Sequence, residues 1–180
     1  VLLGMMSRGT NADVIVTATA GAFGALAPIV SGLRTLGNNT PILNSWAGDG
    51  NYWYAGVNPS VSNYYYVTFA SAFGDDPVKA VNALARRNRA AIAKAGSTGG
   101  FVTGPAAIDG IVTAIRRTGG STNGARLAAA MEKFRNVSTL SGKVSFSRQL
   151  HTVFGRRYRV IRVENNRPRV LTTVQARVVP

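Results

Sequence analysis

The stretch from Asp13 to Asn44 constrains the fold more than any other part of the sequence. It opens with Val14-Ile15-Val16-Thr17, a run rich in β-branched residues that is typical of a strand buried on both faces of a parallel sheet. Apolar residues at helical spacing follow from Phe23 to Leu33, and Pro41-Ile42-Leu43-Asn44 repeats the strand pattern. Strand, crossover helix and parallel strand form a βαβ unit, so the sequence predicts an α/β fold.

The remaining chain changes character near residue 67. Val61 to Phe69 is predicted as a strand, and three helices are predicted after it. The first begins at Asp75-Asp76-Pro77, an acidic N-cap followed by proline, and continues to Ala95. The second runs from Gly104 to Arg117, with Ile108, Ile111, Val112 and Ile115 on the inner face. The third begins at a cap at Thr122 or Asn123 and has Leu127, Ala130, Met131 and Phe134 inside. Val144-Ser145-Phe146 alternates like a strand, and a hairpin pairs Arg157–Val163 with Val170–Val178.

Composition limits the class of protein. The chain has 180 residues, 46% of them apolar and 16% charged, which is typical of a globular domain. It has no cysteine, so it has no disulfide framework and no cysteine-based metal site. The net charge is +14. An excess of this size favours anionic partners such as nucleic acid or acidic surfaces, although arginines that are merely solvated, or a missing acidic half, would give the same excess.

The sequence contains no recognisable catalytic constellation. His151 is the single histidine, and no cluster of His, Asp and Glu has metal-ligand spacing. A nucleophile elbow of the form Gly-x-Ser-x-Gly and a phosphate-binding Walker loop are both absent. The turn Gly21-Ala22-Phe23-Gly24 follows a strand but lacks the glycine spacing of a dinucleotide site. We therefore predict a protein that is not an enzyme and uses no cofactor or metal.

Two segments are predicted to lie at the carboxyl ends of parallel strands, where open α/β sheets bind ligands. The first is the turn Thr19-Ala20-Gly21-Ala22-Phe23, whose main-chain amides would favour an anionic group such as a carboxylate. The second is the loop after Asn44, which holds Trp46, Asp49 and the aromatic run Tyr52-Trp53-Tyr54. Aromatic rings beside a carboxylate are typical of a pocket for an organic amine or an amino acid. Alternatively, these rings pack against a neighbouring lobe and Asp49-Gly50 is simply a turn; we favour this packing for the aromatic run.

The order of several motifs resembles the C-terminal half of type 1 periplasmic binding proteins, in the branched-chain amino acid (Leu/Ile/Val) group of ABC transporters. The segments that carry the resemblance are Asn11-Ala12-Asp13-Val14-Ile15-Val16, Leu33-Arg34-Thr35-Leu36-Gly37, Pro41-Ile42-Leu43, Phe101 to Ile115, Gly142-Lys143-Val144-Ser145-Phe146, His151 and Tyr158-Arg159-Val160. The resemblance implies a fold of two Rossmann-like lobes that bind a ligand between them, here incomplete and limited to the C-terminal half.

By this resemblance, residues 1–66 form part of the second lobe as a βαβ unit. Residues 67–152 form part of the first lobe and are mainly helical, and 153–180 return to the second lobe as a β-hairpin. Full members of the family are longer, so we expect this chain to associate with a missing N-terminal half or to form a homodimer. The apolar segment Val1–Met6 is too short for a signal peptide, and we expect the parent protein to be periplasmic, or extracellular and lipid-anchored.

The resemblance also implies function and ligand contacts. The protein would capture a small molecule and deliver it to an ABC transporter permease. The contacts implied are Thr19, Ala20, Gly21, Ala22, Phe23, Trp46, Asp49 and Phe101. Because the first turn is built of small residues and Asp49 lies a few positions after the place where amino-acid-binding members carry an acidic residue, an aromatic or other small organic acid is an alternative to an amino acid.

A nucleic-acid-binding module is the alternative function from another class. It rests on the net charge and on arginines in the tail, Arg156, Arg157, Arg159, Arg162, Arg167 and Arg169. Because only Tyr158 is interleaved with these arginines as an aromatic residue that could stack on bases, we expect no nucleic-acid partner.

Overall fold

The computed structural model describes residues 12–175; the segment Val1–Met6 and the end of the predicted hairpin lie outside them. The main sheet has five strands in the order β1-β2-β3-β6-β7. Its first three strands are parallel to one another, and the last two pair antiparallel. These strands are β1 (Ile15–Thr17), β2 (Ile42–Asn44), β3 (Tyr64–Thr68), β6 (Arg157–Glu164) and β7 (Arg167–Gln175). The βαβ unit predicted from the sequence is therefore present, and so is the hairpin.

Helix α1 (Leu26–Thr35) crosses from β1 to β2 and covers one face of the sheet. Its residues Leu26, Val30 and Leu33 are fully buried against Tyr64 and Tyr66 of β3. The opposite face carries Val16, Leu43 and Val174, which are exposed. The prediction that β1 is buried on both faces is wrong, because β1 lies at the edge of the described sheet and a helix packs on one side only.

The segment between β3 and β6 contains four helices and a small hairpin. The helices are α2 (Lys79–Arg87), α3 (Arg89–Lys94), α4 (Thr103–Arg117) and α5 (Gly124–Met131), and the hairpin pairs β4 (Val137–Thr139) with β5 (Gly142–Val144). Two buried clusters hold this part together. One is formed around Phe134, Ala114 and Val144, and the other around Ala70, Val81 and Val102.

The first of these helices begins later than the sequence predicts. Its N-cap is Val78, which makes no capping hydrogen bond through its side chain. Asp76 is instead buried and forms a two-pronged ion pair with Arg159 of β6, at 3.0 Å from Nε and 2.9 Å from Nη2. It also accepts hydrogen bonds from the main-chain N–H groups of Ser71 and Val78. The predicted cap is wrong because the helix begins two residues later, and the Asp76 carboxylate binds Arg159 as well as the main chain before the helix.

Two further helix predictions have mixed outcomes. The Asn123 side chain caps α5 by accepting a hydrogen bond from the Arg126 N–H at 3.1 Å, as predicted. In α4, however, Ile108 and Ile111 are 60% and 42% exposed, so the inner face assigned to them is wrong. The small residues Ala106, Gly110 and Ala114 face inward instead, because a close approach to neighbouring elements requires little side-chain volume.

Candidate functional site

Both predicted ligand-contact segments lie where expected, at the carboxyl ends of β1 and β2. Each opens with a polar residue and then exposes an aromatic ring. Phe23, at the end of a 3₁₀ turn (Gly21–Phe23), is 87% exposed, and Trp46, in the 3₁₀ turn Trp46–Gly48, is 65% exposed. The spacing predicted that Phe23 belongs to the buried face of α1, and this prediction is wrong. Exposed aromatic rings at a strand-end edge are suited to contact a ligand or a facing protein surface.

The turn Thr19–Phe23 is held in place by residues on its buried side. Asn44, buried at the end of β2, donates a hydrogen bond from Nδ2 to the carbonyl oxygen of Thr19 at 3.0 Å. Gly21 is buried, and a Cβ atom at this position would lie 2.5 Å from the indole of Trp53. Because only glycine fits against the indole, the main chain of the turn approaches the core closely while Ala22 and Phe23 face outward.

The loop after β2 is also fixed by a hydrogen bond and by close packing against a glycine. Trp53 is buried and donates from Nε1 to the carbonyl oxygen of Gly48 at 3.0 Å. A Cβ on Gly48 would overlap Tyr64 and Asn44, so this turn also requires glycine. Tyr54 is buried beside Trp53, while Tyr52 is 41% exposed. Trp53 and Tyr54 are therefore packed, but they join the cluster of α1, β2 and β3, so the prediction that they pack against a neighbouring lobe is wrong.

Asp49 is buried, with 5% of its surface exposed. Its Oδ2 accepts hydrogen bonds from the Thr68 hydroxyl at 2.5 Å and from the Gly99 N–H at 2.8 Å, whereas Oδ1 is buried without a hydrogen-bond partner. Burial raises the pKa of Asp49 to about 6, against the lowering effect of the hydrogen bonds from Thr68 and Gly99. This geometry gives Asp49 an internal bond to a distant segment; a direct contact with ligand stays a prediction.

Phe101 lies in the segment that Asp49 holds. It belongs to a 3₁₀ turn (Gly99–Val102) and is half-buried against Val81 and Val102. Through Asn44 and Asp49, hydrogen bonds therefore connect the turn that carries Phe23, the loop that carries Trp46 and the turn that carries Phe101. The three predicted contact regions are neighbours in the structure, although they are far apart in sequence.

The sequence-based prediction missed a cluster beside Trp46. Phe69, just after β3, lies 6.3 Å from Trp46 and 5.9 Å from Tyr158 between ring centroids. The guanidinium carbon of Arg156 lies 5.0 Å from the Phe69 ring centroid. Phe69 closes the predicted strand Val61–Phe69 at its carboxyl end, and this position was the available signal.

Residues 12–175 contain no group of three or more acidic or histidine side chains that could hold a metal ion. Over the same residues, no helix is both long and apolar enough to cross a membrane. The arrangement therefore offers aromatic surfaces, main-chain amides and an arginine as the groups available to a bound molecule.

Comparison with known proteins identifies the family. A family model described as periplasmic binding protein matches residues 7–168. The chain belongs to the periplasmic binding protein family. This match confirms the resemblance inferred from the motifs, and the α/β fold agrees with it. A comparison with curated protein sequences gave no match.

Solved structures of family members superpose on nearly the whole chain. A leucine binding protein from Thermotoga maritima gives a TM-score of 0.71 at 19% identity, over 97% of this chain and 47% of that one. The isoleucine complex of a branched-chain amino acid transporter substrate binding protein from Streptococcus pneumoniae gives 0.71 at 18%, over 96% and 46%. A solute binding protein of an ABC transporter from Rhodopseudomonas palustris, in complex with p-hydroxybenzoic acid, gives 0.71 at 15%, over 97% and 48%. The chain spans about half the length of these proteins.

Proposed function

We propose that this chain forms part of an extracytoplasmic solute-binding protein that captures a small amino acid or aromatic acid and delivers it to an ABC transporter permease, without chemistry of its own. The observation that carries the proposal is the pair of exposed rings, Phe23 and Trp46, at the carboxyl ends of two parallel strands. Exposing two large aromatic side chains is unfavourable in water, and rings that are fixed at such an edge can cover the apolar part of a bound molecule.

The two parts of the fold support the proposed division into lobes. One buried cluster combines α1, β2 and β3 with Ile161 and Val163 of β6, which fits residues 1–66 and 153–180 in one lobe. The clusters around Phe134 and Val102 draw on residues between 69 and 146, with Val153 as the one member beyond 152, which fits 67–152 in the other; Phe73 is the residue of this range that packs against the first cluster. Ligand capture would close the two lobes around the cleft by a hinge motion.

The exposed sheet face supports the proposed association with an N-terminal half or a second copy. Val16 is 72% exposed on β1, and Leu43 lies on the same face of the adjacent strand. Packing against another segment or another copy would remove this apolar surface from water.

The structure weakens the nucleic-acid alternative, because only three of the six tail arginines, Arg157, Arg167 and Arg169, are exposed. Arg159 is bound to Asp76, and Arg162 forms an ion pair with Glu164 at 2.8 Å. Arg156 is buried. The three that remain exposed do not form the aromatic-interleaved surface that single-stranded nucleic acid requires.

Titration calorimetry tests the proposal. The purified chain, and the longest reading frame that contains it, would be titrated with leucine, isoleucine, valine, benzoate and p-hydroxybenzoate. We expect saturable binding of at least one compound, weakened by Trp46→Ala. If no compound binds to either protein while both are folded, the proposal is wrong.

A further inference from the structure

A concavity beside the predicted contact region has a lining that no sequence motif indicated. It has a volume of about 630 Å³ and lies between the loop after β2, the end of β3 and the segment that leads into β6. Trp46, Phe69 and Tyr158 form its aromatic walls, and Ser45 and Arg156 are among its polar residues. Its size falls within the range of small-molecule sites.

Arg156 is the unusual member of this lining. Only 8% of its surface is exposed, and its Nε is buried without a hydrogen-bond partner. All seven acidic residues of the chain lie within residues 12–175. The ion pairs that they form there join Asp76 to Arg159, Glu164 to Arg162, and Glu132 to His151, so none of them neutralises Arg156.

A comparison with Arg159, the buried arginine of the adjoining strand β6, shows that Arg156 lacks a carboxylate partner. Arg159 is buried to a similar degree and donates hydrogen bonds to both oxygens of the Asp76 carboxylate. For Arg156, the ring of Phe69 below the guanidinium offers only a cation–π contact, which offsets part of the cost of desolvation. Burial lowers the pKa of Arg156, but an arginine keeps its charge at neutral pH. A buried cation without an acid creates a site for an anion.

We propose that this concavity, the Arg156 pocket, binds the carboxylate of a small aromatic acid. The guanidinium would hold the carboxylate with two parallel hydrogen bonds, and the walls formed by Trp46, Phe69 and Tyr158 would cover a flat apolar ring. A monocarboxylate fits better than a phosphate, because one guanidinium balances one negative charge. This inference rests on the proposed function and narrows its ligand class, since Trp46 borders both regions.

The carboxylate could also come from an Asp or Glu of another protein segment. Acetate, which has a carboxylate but no ring, represents that source in the experiment, and benzoate represents the small aromatic acid. Because the chain has only two tryptophans, and Trp53 is buried while Trp46 lines the pocket, ligand binding can be followed by Trp46 fluorescence. The 180-residue chain would be titrated with benzoate, with the neutral analogue benzamide, and with acetate. The variants are Arg156→Gln, Arg156→Lys and the control Arg157→Gln, which removes the same charge from an exposed neighbour.

We expect saturable quenching by benzoate, with binding at least about tenfold tighter than that of benzamide or acetate. Arg156→Gln should weaken benzoate binding by about tenfold or more and leave benzamide unchanged, Arg156→Lys should lie between, and Arg157→Gln should match the wild type within about twofold. Equal binding of benzoate and benzamide, or an equal loss in both glutamine variants, would overturn the proposal. If isoleucine binds the wild type and Arg156→Gln alike while benzoate does not bind, this inference fails and the proposed function stands.

Thermal unfolding shows whether each variant is folded. Without ligand, Arg156→Gln should unfold at the same temperature as the wild type or higher, because it removes an uncompensated buried charge. Benzoate should raise the unfolding temperature of the wild type and of Arg157→Gln, but not that of Arg156→Gln. A marked fall in the unfolding temperature of both Arg156 variants, without any benzoate effect on the wild type, would assign Arg156 to the protein interior and reject the pocket.

Discussion

Replacing Asp49 by asparagine should make the stability of the protein less dependent on pH. Asp49 is buried at the end of the loop that carries Trp46, and its Oδ2 accepts hydrogen bonds from Thr68 and Gly99. An asparagine carbonyl oxygen can accept the same two hydrogen bonds. The substitution therefore removes the charge while keeping the connection between the loop and the turn at Gly99.

The size and sign of the effect follow from the pKa of Asp49. Burial raises this pKa from its ordinary value of 3.8 to about 6, so the native state binds the proton more tightly than the unfolded state. The stabilisation from that proton is complete below about pH 4 and is lost as the pH rises towards about 6. At 1.36 kcal/mol for each tenfold change in proton affinity, the ionised group costs roughly 3 kcal/mol at pH 7.

Urea unfolding of wild type and Asp49→Asn at a series of pH values between about 4 and 7 measures this directly. The difference in unfolding free energy should shift in favour of Asp49→Asn by roughly 2–3 kcal/mol as the pH rises across this range. Contributions from the other acidic residues cancel in the difference. Asp13→Asn, which removes the same charge from an exposed position, is the matched control variant. A constant difference for Asp49→Asn would refute the assignment of a raised pKa to this carboxyl group.

Three further substitutions probe the framework around the site. Asp76→Ala should lower the free energy of unfolding by roughly 3–5 kcal/mol in urea, because it leaves the Arg159 charge buried and unpaired; a loss below about 1 kcal/mol, as for exposed pairs, would contradict this. Gly99→Ala should destabilise by at least about 1–3 kcal/mol in the same assay, since its Cβ would overlap the carbonyl oxygen of Ala70, and wild-type stability would disprove that close contact. Trp46→Ala should change stability by less than about 0.5 kcal/mol, because the ring is mostly exposed, while abolishing ligand-dependent fluorescence; a large fall in the thermal unfolding temperature would show that the ring is structural.

Local patterns predicted much of the secondary structure. The β-branched run near Val16, the helical spacing up to Leu33 and the strand at Ile42 gave the βαβ unit, because each depends on neighbours within a few residues. The hairpin was predicted for the same reason, and its two-residue turn uses Asn165 and Asn166, whose φ values of 50° and 59° asparagine tolerates. Features that depend on distant partners were not predicted.

Asp76 illustrates why contacts with distant residues could not be predicted from local sequence patterns. Acidic residue, proline and a following apolar run predicted a helix cap, and this pattern alone favours one. The helix begins only at Lys79, and the carboxylate forms a buried, charge-assisted pair with Arg159, 83 residues later. Asp49 follows the same principle, since Gly99 lies 50 residues away. The sequence identified both carboxylates as noteworthy but could not show which group would bind each one.

The strands nevertheless contained a signal for these bonds that does not require distant information. Side chains alternate between the two faces of a strand. The buried inward positions of β2, β3 and β6 are apolar except at the edge of the sheet that carries the candidate site, where they are Asn44, Thr68 and Arg159. Each binds a polar group of a segment that follows a strand: Asn44 the carbonyl oxygen of Thr19, Thr68 the Asp49 carboxylate, and Arg159 the Asp76 carboxylate. A buried polar side chain requires a hydrogen-bond partner. Polar residues at the inward positions of buried strands, at this one edge of the sheet, therefore predict which loops are fixed to the sheet, and in this protein those loops carry the candidate site.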